Sequence, residues 1–202
     1  MAASGRYLAL GRSLEQLRKH HLGFKPRLAG DYTERQLSQA AAYTVFAHGE
    51  FEQFLEDWAL AILDAIAVKG FGSGYSPMLA HVVAYRPALP LPSQIPANNV
   101  WQTHAGNAIS VHRTTIRNNH GISERYVCAL LMPLGVDVGS IDPILTSDLN
   151  AFAKIRGDHA HQSRRVHLGQ QFGPFDRLAK ANNIHSLLLP FDEDLRNHLR
   201  LC

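Results

Sequence analysis

The chain is poor in cysteine, in long apolar runs and in repetition, and each shortage removes a class of protein. Only Cys128 and Cys202 occur among 202 residues, one inside an apolar pattern and one at the last position. Two thiols so placed argue against a disulfide scaffold and for a reducing compartment. The most apolar helical stretch, Trp58–Val68, is broken by Asp64 and falls well short of the roughly twenty residues that cross a bilayer. The opening residues, Met1–His21, contain no apolar run fit for the core of a signal peptide. These shortages predict a soluble, cytoplasmic protein with no membrane contact. Internal repeats, low-complexity tracts, heptad seams and glycine-rich phosphate loops are also missing, so solenoid, coiled-coil and P-loop readings have no support.

What is present suits one domain spanning 1–202. A chain of 22.4 kDa with 46% hydrophobic residues is long enough to bury roughly 70% of its unfolded surface. The formal charge is +3, the pI is about 9.0, and fifteen of the twenty basic residues are Arg. That balance is compatible with a nucleic-acid partner. Twelve His make the charge sensitive to pH between about 6 and 7.

Apolar spacing follows the helical period throughout and predicts an all-α bundle of about five or six helices. Residues 1–30 read as an N-terminal extension with a short amphipathic helix over Ser13–His21, then a Gly23, Pro26, Gly30 linker. Asp31 and Glu34 suggest a capping box. The helix that follows runs to Lys69, with Leu37, Ala41, Thr44, His48, Phe51, Leu55, Trp58, Ile62 and Ile66 in 3/4 alternation. Residues 70–104 hold five of the ten prolines and read as an irregular arm: a short helix near Met78–Tyr85, then an extended stretch around Pro87–Pro96. Further helices are expected over Ala105–Asn118, from a Ser123 cap through Leu131, and from Asp142-Pro143 or Ser147 onward. The tail from Gly173 reads as a helix that Pro190 kinks or ends.

The chemistry concentrates in Arg156-Gly157-Asp158-His159-Ala160-His161. Leu149, Phe152, Ala153 and Ile155 form an apolar stripe that delivers Arg156 to the end of its helix, where Gly157 loosens the backbone. A guanidinium grips phosphate in bidentate fashion, and an imidazole titrating near neutrality moves a proton. On an unbroken helix His159 stands about 60° from Arg156 and His161 about 140°. Lys154, Arg164 and Arg165 flank this segment as basic groups for a passing backbone. A second Arg-to-His spacing, Arg113 to His120, runs out into Asn118-Asn119-His120-Gly121 and reads as a turn. His48 and Glu52 lie four apart on the long helix, with Glu56 a turn further. They are either a solvated acidic face with one satisfied His, or groups that orient the Arg or His of the motif.

Arg156-x4-His161 after an apolar helix resembles the Arg-x4-6-His signature of the HEPN superfamily of helical ribonucleases. The segment from Ala47-His48-Gly49-Glu50 to Glu56 is similar to the first long helix of its RiboL-PSP-type members, and Asn118–Ile122 to the turn between their middle helices. In that family the residue after the Arg is usually Asn, Asp or His, whereas here it is Gly157. The resemblance implies a metal-independent endoribonuclease without cofactor, with Arg156 and His161 catalytic and His159, Asp158, Glu52 and His48 in support. It also implies a symmetric homodimer with a composite site, and service as a toxin or phage-defence effector under an antitoxin or other regulatory partner.

RNA carries its own nucleophile in the 2′-hydroxyl, so a proton carrier and positive charge at the phosphate suffice to cut it. The expected products are a 2′,3′-cyclic phosphate and a 5′-hydroxyl. Other readings of the same residues remain. Gly157 favours a catalytically silent bundle that binds RNA, a nucleotide or a protein. Asp158, His159 and His161 also form a candidate metal-ligand set for a metal-dependent phosphodiesterase. The two His alone are equally the cations expected at a helix C-terminus.

Overall fold

A computed structural model of the chain describes residues 3–28, 31–73, 76–85, 100–161 and 173–202, and at 73, 100 and 158–161 the backbone alone. Among the described residues the protein is all-α, with seven α-helices and no strand. They are α1 (Gly5–His21), α2 (Glu34–Ser73), α3 (Pro77–Ala84), α4 (Val100–Arg117), α5 (Glu124–Leu131), α6 (Pro143–His161) and α7 (Pro174–Leu201), with 3-10 turns at Met132–Leu134 and Val138–Ser140.

The chain divides into two compact units. The first comprises Met1–Phe54, Gly121–Glu124 and Ile141–Glu193; the second comprises Leu55–His120, Arg125–Ser140 and Asp194–Cys202. Both α2 and α7 contribute one part to each.

In the first unit, α1 begins well before the expected Ser13 because Ser4 caps it. The Ser4 hydroxyl accepts from the Tyr7 N–H at 3.1 Å, satisfying one of the unpaired donors of the first turn. Tyr7 stacks on His185 of α7 with ring centroids 4.3 Å apart. Gly11 faces the same ring, and a Cβ there would meet His185 Nε2 at 3.1 Å. Leu10 and Leu14 are buried. The capping box of α2 sits two residues later than Asp31–Glu34 suggests. Thr33 N–H donates to Gln36 Oε1 at 3.0 Å and Gln36 N–H donates to Thr33 Oγ1 at 3.3 Å, the reciprocal pair that a Thr-x-x-Gln sequence forms. Of the two candidate starts for α6, Asp142-Pro143 is the one used, with Asp142 Oδ1 accepting from the Ile144 N–H at 2.7 Å. Asn150 of α6 takes the Glu124 N–H at 2.9 Å where α5 begins. The first unit's interior includes Ala47 and Phe51 of α2, Leu149, Phe152 and Ile155 of α6, and Ile184 and Leu188 of α7.

In the second unit, α2 continues past Gly70 to Ser73. Gly70 is buried against α3, and a Cβ there would overlap the Leu79 side chain, so this glycine serves a close approach rather than a helix end. The irregular arm expected over 70–104 is therefore partly helical, at 70–73, Pro77–Ala84 and from Val100 on. The extended stretch expected around Pro87–Pro96 lies outside the described residues. Gly135 ends the first 3-10 turn in the left-handed region, φ +78°, where a side chain is disfavoured. The end of α5 is held by three imidazoles. His112 of α4, His81 of α3 and His198 of α7 each place Nε2 3.0 Å from a carbonyl, of Leu130, Met132 and Leu134 respectively. A carbonyl only accepts, so each ring carries its proton on Nε2. The trio ties the last turn of α5 and the 3-10 turn after it to three other helices; the Met132 carbonyl also accepts from the Gly135 N–H at 3.0 Å.

Pro190 does not end α7, which runs unbroken from Pro174 to Leu201. Ser186, whose carbonyl loses its i+4 donor, and Pro190 both lie on the exposed side of the helix, while Leu188, Phe191 and Leu195 are buried.

Candidate functional site

The first unit brings one motif residue together with one residue of the long helix. On α6, Leu145, Leu149, Phe152 and Ile155 are buried and Lys154 is exposed. Of the stripe expected from the sequence, Leu149, Phe152 and Ile155 are buried while Ala153 is half-buried, and Arg156 is partly exposed at the edge. On α2, His48 is 2% exposed. The two helices meet through Phe51 and Phe152, whose rings stand edge to face at 5.7 Å and 87°, the arrangement that ring quadrupoles favour. Phe51 follows His48 by three positions and Phe152 precedes Arg156 by four, so each lies one helical turn from the polar residue it accompanies.

The electrostatics follow from this docking. Burial, with the Arg156 charge as a second and smaller cause, pushes the His48 pKa down to about 4. At neutral pH His48 is therefore uncharged. Its Nδ1 lies 3.8 Å from Glu52 Oε2, beyond hydrogen-bond length but within electrostatic reach. Glu52 is itself mostly covered, its side chain 18% exposed. A guanidinium, a neutral imidazole and a carboxylate thus belong to one partly buried region of the first unit. Of these, the partly exposed Arg156 guanidinium is the group able to meet a phosphate, while His48, 2% exposed, is enclosed.

The remaining motif residues are placed by backbone only. α6 passes through Gly157 and continues to His161, so Gly157 neither ends the helix nor bends the chain out of it. A Cβ at Gly157 would meet nothing within 4 Å. On this continuous helix position 159 falls about 60° from position 156 and position 161 about 140°. The side chains of Asp158, His159 and His161 lie outside the described residues, and so do Arg164 and Arg165. Among the described residues no three His, Cys, Asp or Glu side chains gather as a metal site.

The second Arg-to-His spacing has a different fate, within the second unit. Arg113 of α4 pairs with Asp64 of α2, and His120 is exposed beyond the helix end. Glu56 accepts a hydrogen bond from Asn119 Nδ2 at 3.1 Å. Burial raises its pKa, an effect this bond opposes. The Phe51–Phe152 pair does not stand out in the sequence, although each residue lies on a stripe that the helical period identifies. Crossing those stripes is what the period alone does not do.

No protein-family model matches the chain, and neither a curated protein nor a solved structure does. Among the described residues, no helix is long and apolar enough to cross a membrane.

Proposed function

We propose that the protein is a metal-independent endoribonuclease of HEPN type. Arg156 stabilises the crowded phosphate while a His of the motif moves the proton between the 2′-hydroxyl and the leaving oxygen. The observation that carries this reading is the docking of α6 on α2 through Phe152 and Phe51, which leaves Arg156 close enough for its charge to be felt at the buried, neutral His48. In this reading His48 and Glu52 are positioning residues for the guanidinium, and Lys154, Arg164 and Arg165 guide the RNA backbone. One imidazole serves poorly as both acid and base, so a symmetric homodimer with two motifs in one cleft completes the proposal. A role as toxin or phage-defence effector, held in check by an antitoxin or other regulator, follows from the family resemblance.

The unbroken passage of α6 through Gly157 favours His159 over His161 as the partner on the Arg156 side. It equally favours a second reading, a catalytically silent bundle that binds RNA, a nucleotide or a protein. Incubating a mixed RNA pool with purified protein in excess EDTA decides between them. Cleavage leaving cyclic phosphates, lost in Arg156→Ala by about a hundredfold or more and in one of His159→Ala or His161→Ala, supports the nuclease and names its His. Intact RNA, with and without added divalent metal, leaves the silent bundle.

A further inference from the structure

Within the first unit, α1 is seated on α7 at three successive places. Asp192 takes the Ser4 N–H and hydroxyl where α1 begins. Tyr7 then lies nearly flat on His185, the ring planes 14° apart. Gly11 faces the Nε2 and Cε1 edge of the same imidazole, where a Cβ would come to 3.1 and 3.2 Å. Tyr7 and Gly11 stand one turn apart on one face of α1, so a single imidazole serves two consecutive turns. The same helix buries Leu10 and Leu14.

How the ring is held decides which protonation state fits. His185 is half-buried as a residue, but its Nε2 is enclosed and takes part in no hydrogen bond. An uncharged imidazole can leave one nitrogen bare, whereas a charged one carries hydrogen on both. Charging His185 therefore puts an N–H at Nε2, against Gly11 and away from water, with no acceptor in hydrogen-bond geometry. That is the unfavourable case for a buried polar group.

The surrounding groups offset little of this. On α1, Tyr7 presents a neutral phenol, its pKa raised by burial and by the Asp192 charge, and Gly11 presents no side chain. Arg6 and Arg12 adjoin these two in sequence and carry the sign that opposes a further cation. Glu15, one turn past Gly11, is exposed and engaged by Arg18 and Lys19. On α7, the residues one turn either side of His185 are Ala181, Asn182, Leu188 and Leu189, none of them charged. Asp192 stands two turns along on the same side, and both its oxygens already serve Ser4. Burial accordingly pushes the His185 pKa down, and the Tyr7 backbone opposes this only in part.

We propose that His185 is an acid-sensitive latch, which holds α1 on α7 while its ring is uncharged and lets α1 go in mild acid ahead of the rest of the first unit. The sign follows from linkage. Above about pH 6.5, the ordinary value for His, the ring is neutral whether α1 is docked or free, and the latch holds in full. Below it the freed ring gains its proton first, so docking weakens until the docked ring is charged as well. Release uncovers Leu10 and Leu14. The latch goes beyond the cleavage reading and stands without it, since nothing in it asks for Arg156 or for RNA.

Amide exchange of the full chain tests it, read by mass spectrometry on peptides from α1 and α6 between about pH 7 and 5 and corrected for the intrinsic effect of pH on exchange. Wild type is compared with His185→Phe, which keeps a ring against Tyr7 but takes no proton, and with His185→Gln, which takes no proton and gives up the ring. On acidification, α1 protection in wild type is expected to fall about fivefold or more beyond any fall in His185→Phe. The α6 peptides should keep one profile in both proteins. His185→Gln is expected to start with α1 less protected and then to follow the His185→Phe profile. Parallel α1 profiles in wild type and both variants overturn the proposal. So does an excess fall in wild type that α6 shares in full, which would make His185 a support of the whole unit and not of α1.

Discussion

Asp192, in the body of α7, holds Ser4 from 188 positions away: one carboxylate oxygen accepts from the Ser4 backbone N–H at 2.9 Å and the other from its hydroxyl at 2.5 Å. Asp192 is 1% exposed and Ser4 half-buried, so these charge-assisted bonds are partly shielded from water, beside the positive end of α1. Replacing Asp192 with Ala strands two donors and is expected to lower stability by about 2–3 kcal/mol. Urea unfolding reads the loss, and amide exchange should quicken first along α1. Ser4→Ala, which removes the cap but keeps the N–H bond, is expected to lower stability by about 1 kcal/mol.

Phe51 and Phe152 are both fully buried and fix how α6 meets α2. Either one changed to Ala is expected to destabilise by about 3–5 kcal/mol. The double-mutant cycle should return a coupling of about 0.5–1.5 kcal/mol for the edge-to-face pair. A coupling of zero would mean that the rings act only through their separate burial.

The acid side of the stability profile should carry a His48 signature. Its folded pKa, about 4, lies below the unfolded value near 6.5. At pH 7 both states are neutral and the contribution is complete. As pH falls below about 6.5 the unfolded chain gains the proton first, so stability falls, and the loss levels off below about 4. Between about pH 7 and 4.5 the loss amounts to roughly 2 kcal/mol. His48→Gln should remove that part of the slope when its urea midpoints are compared with wild type over the same range. Parallel pH profiles for the two proteins would mean that His48 is protonated alike in both states.

Gly157 stands inside α6 with open space where a side chain would be. Gly157→Ala is therefore expected to stabilise the protein by about 0.5–1 kcal/mol, seen as a raised melting temperature. If RNA cleavage survives in that variant, the chemistry works on a continuous helix. If it is lost while stability rises, a backbone excursion at Gly157 belongs to the reaction.

Much of this fold is readable because its helices follow strong local signals. Thr44, His48, Phe51, Leu55, Trp58, Ile62 and Ile66 recur at helical spacing and all are buried. Asp142-Pro143 opens α6 by a side-chain bond two residues long. The misread places are those where distant residues overrule local ones. Ser4 starts α1 early with Asp192 holding it, Gly70 is set by Leu79 rather than by a turn, and Pro190 sits on the exposed side of a helix whose other side buries Leu188 and Phe191. For the candidate site, the stripe that ends in Arg156 and the burial of His48 follow from the helical period. Their proximity does not, since it depends on Phe51 meeting Phe152 across about a hundred residues of chain. The stacking of His21 on Phe46, like the Phe51–Phe152 pair, joins two helices whose meeting the period alone does not give.

The tie between α1 and α7 has a consequence for how the protein is made. On a ribosome adding about 5–20 residues per second, the 188 positions between Ser4 and Asp192 correspond to a wait of roughly 10–40 s. During that interval the N-terminal helix exists without the partner that covers Tyr7 and Gly11. The helix that carries Arg6, Arg12, Arg18 and Lys19 thus leaves the ribosome well before α7 and settles only once α7 has followed, and a chaperone that shields Leu10 and Leu14 would act at this stage.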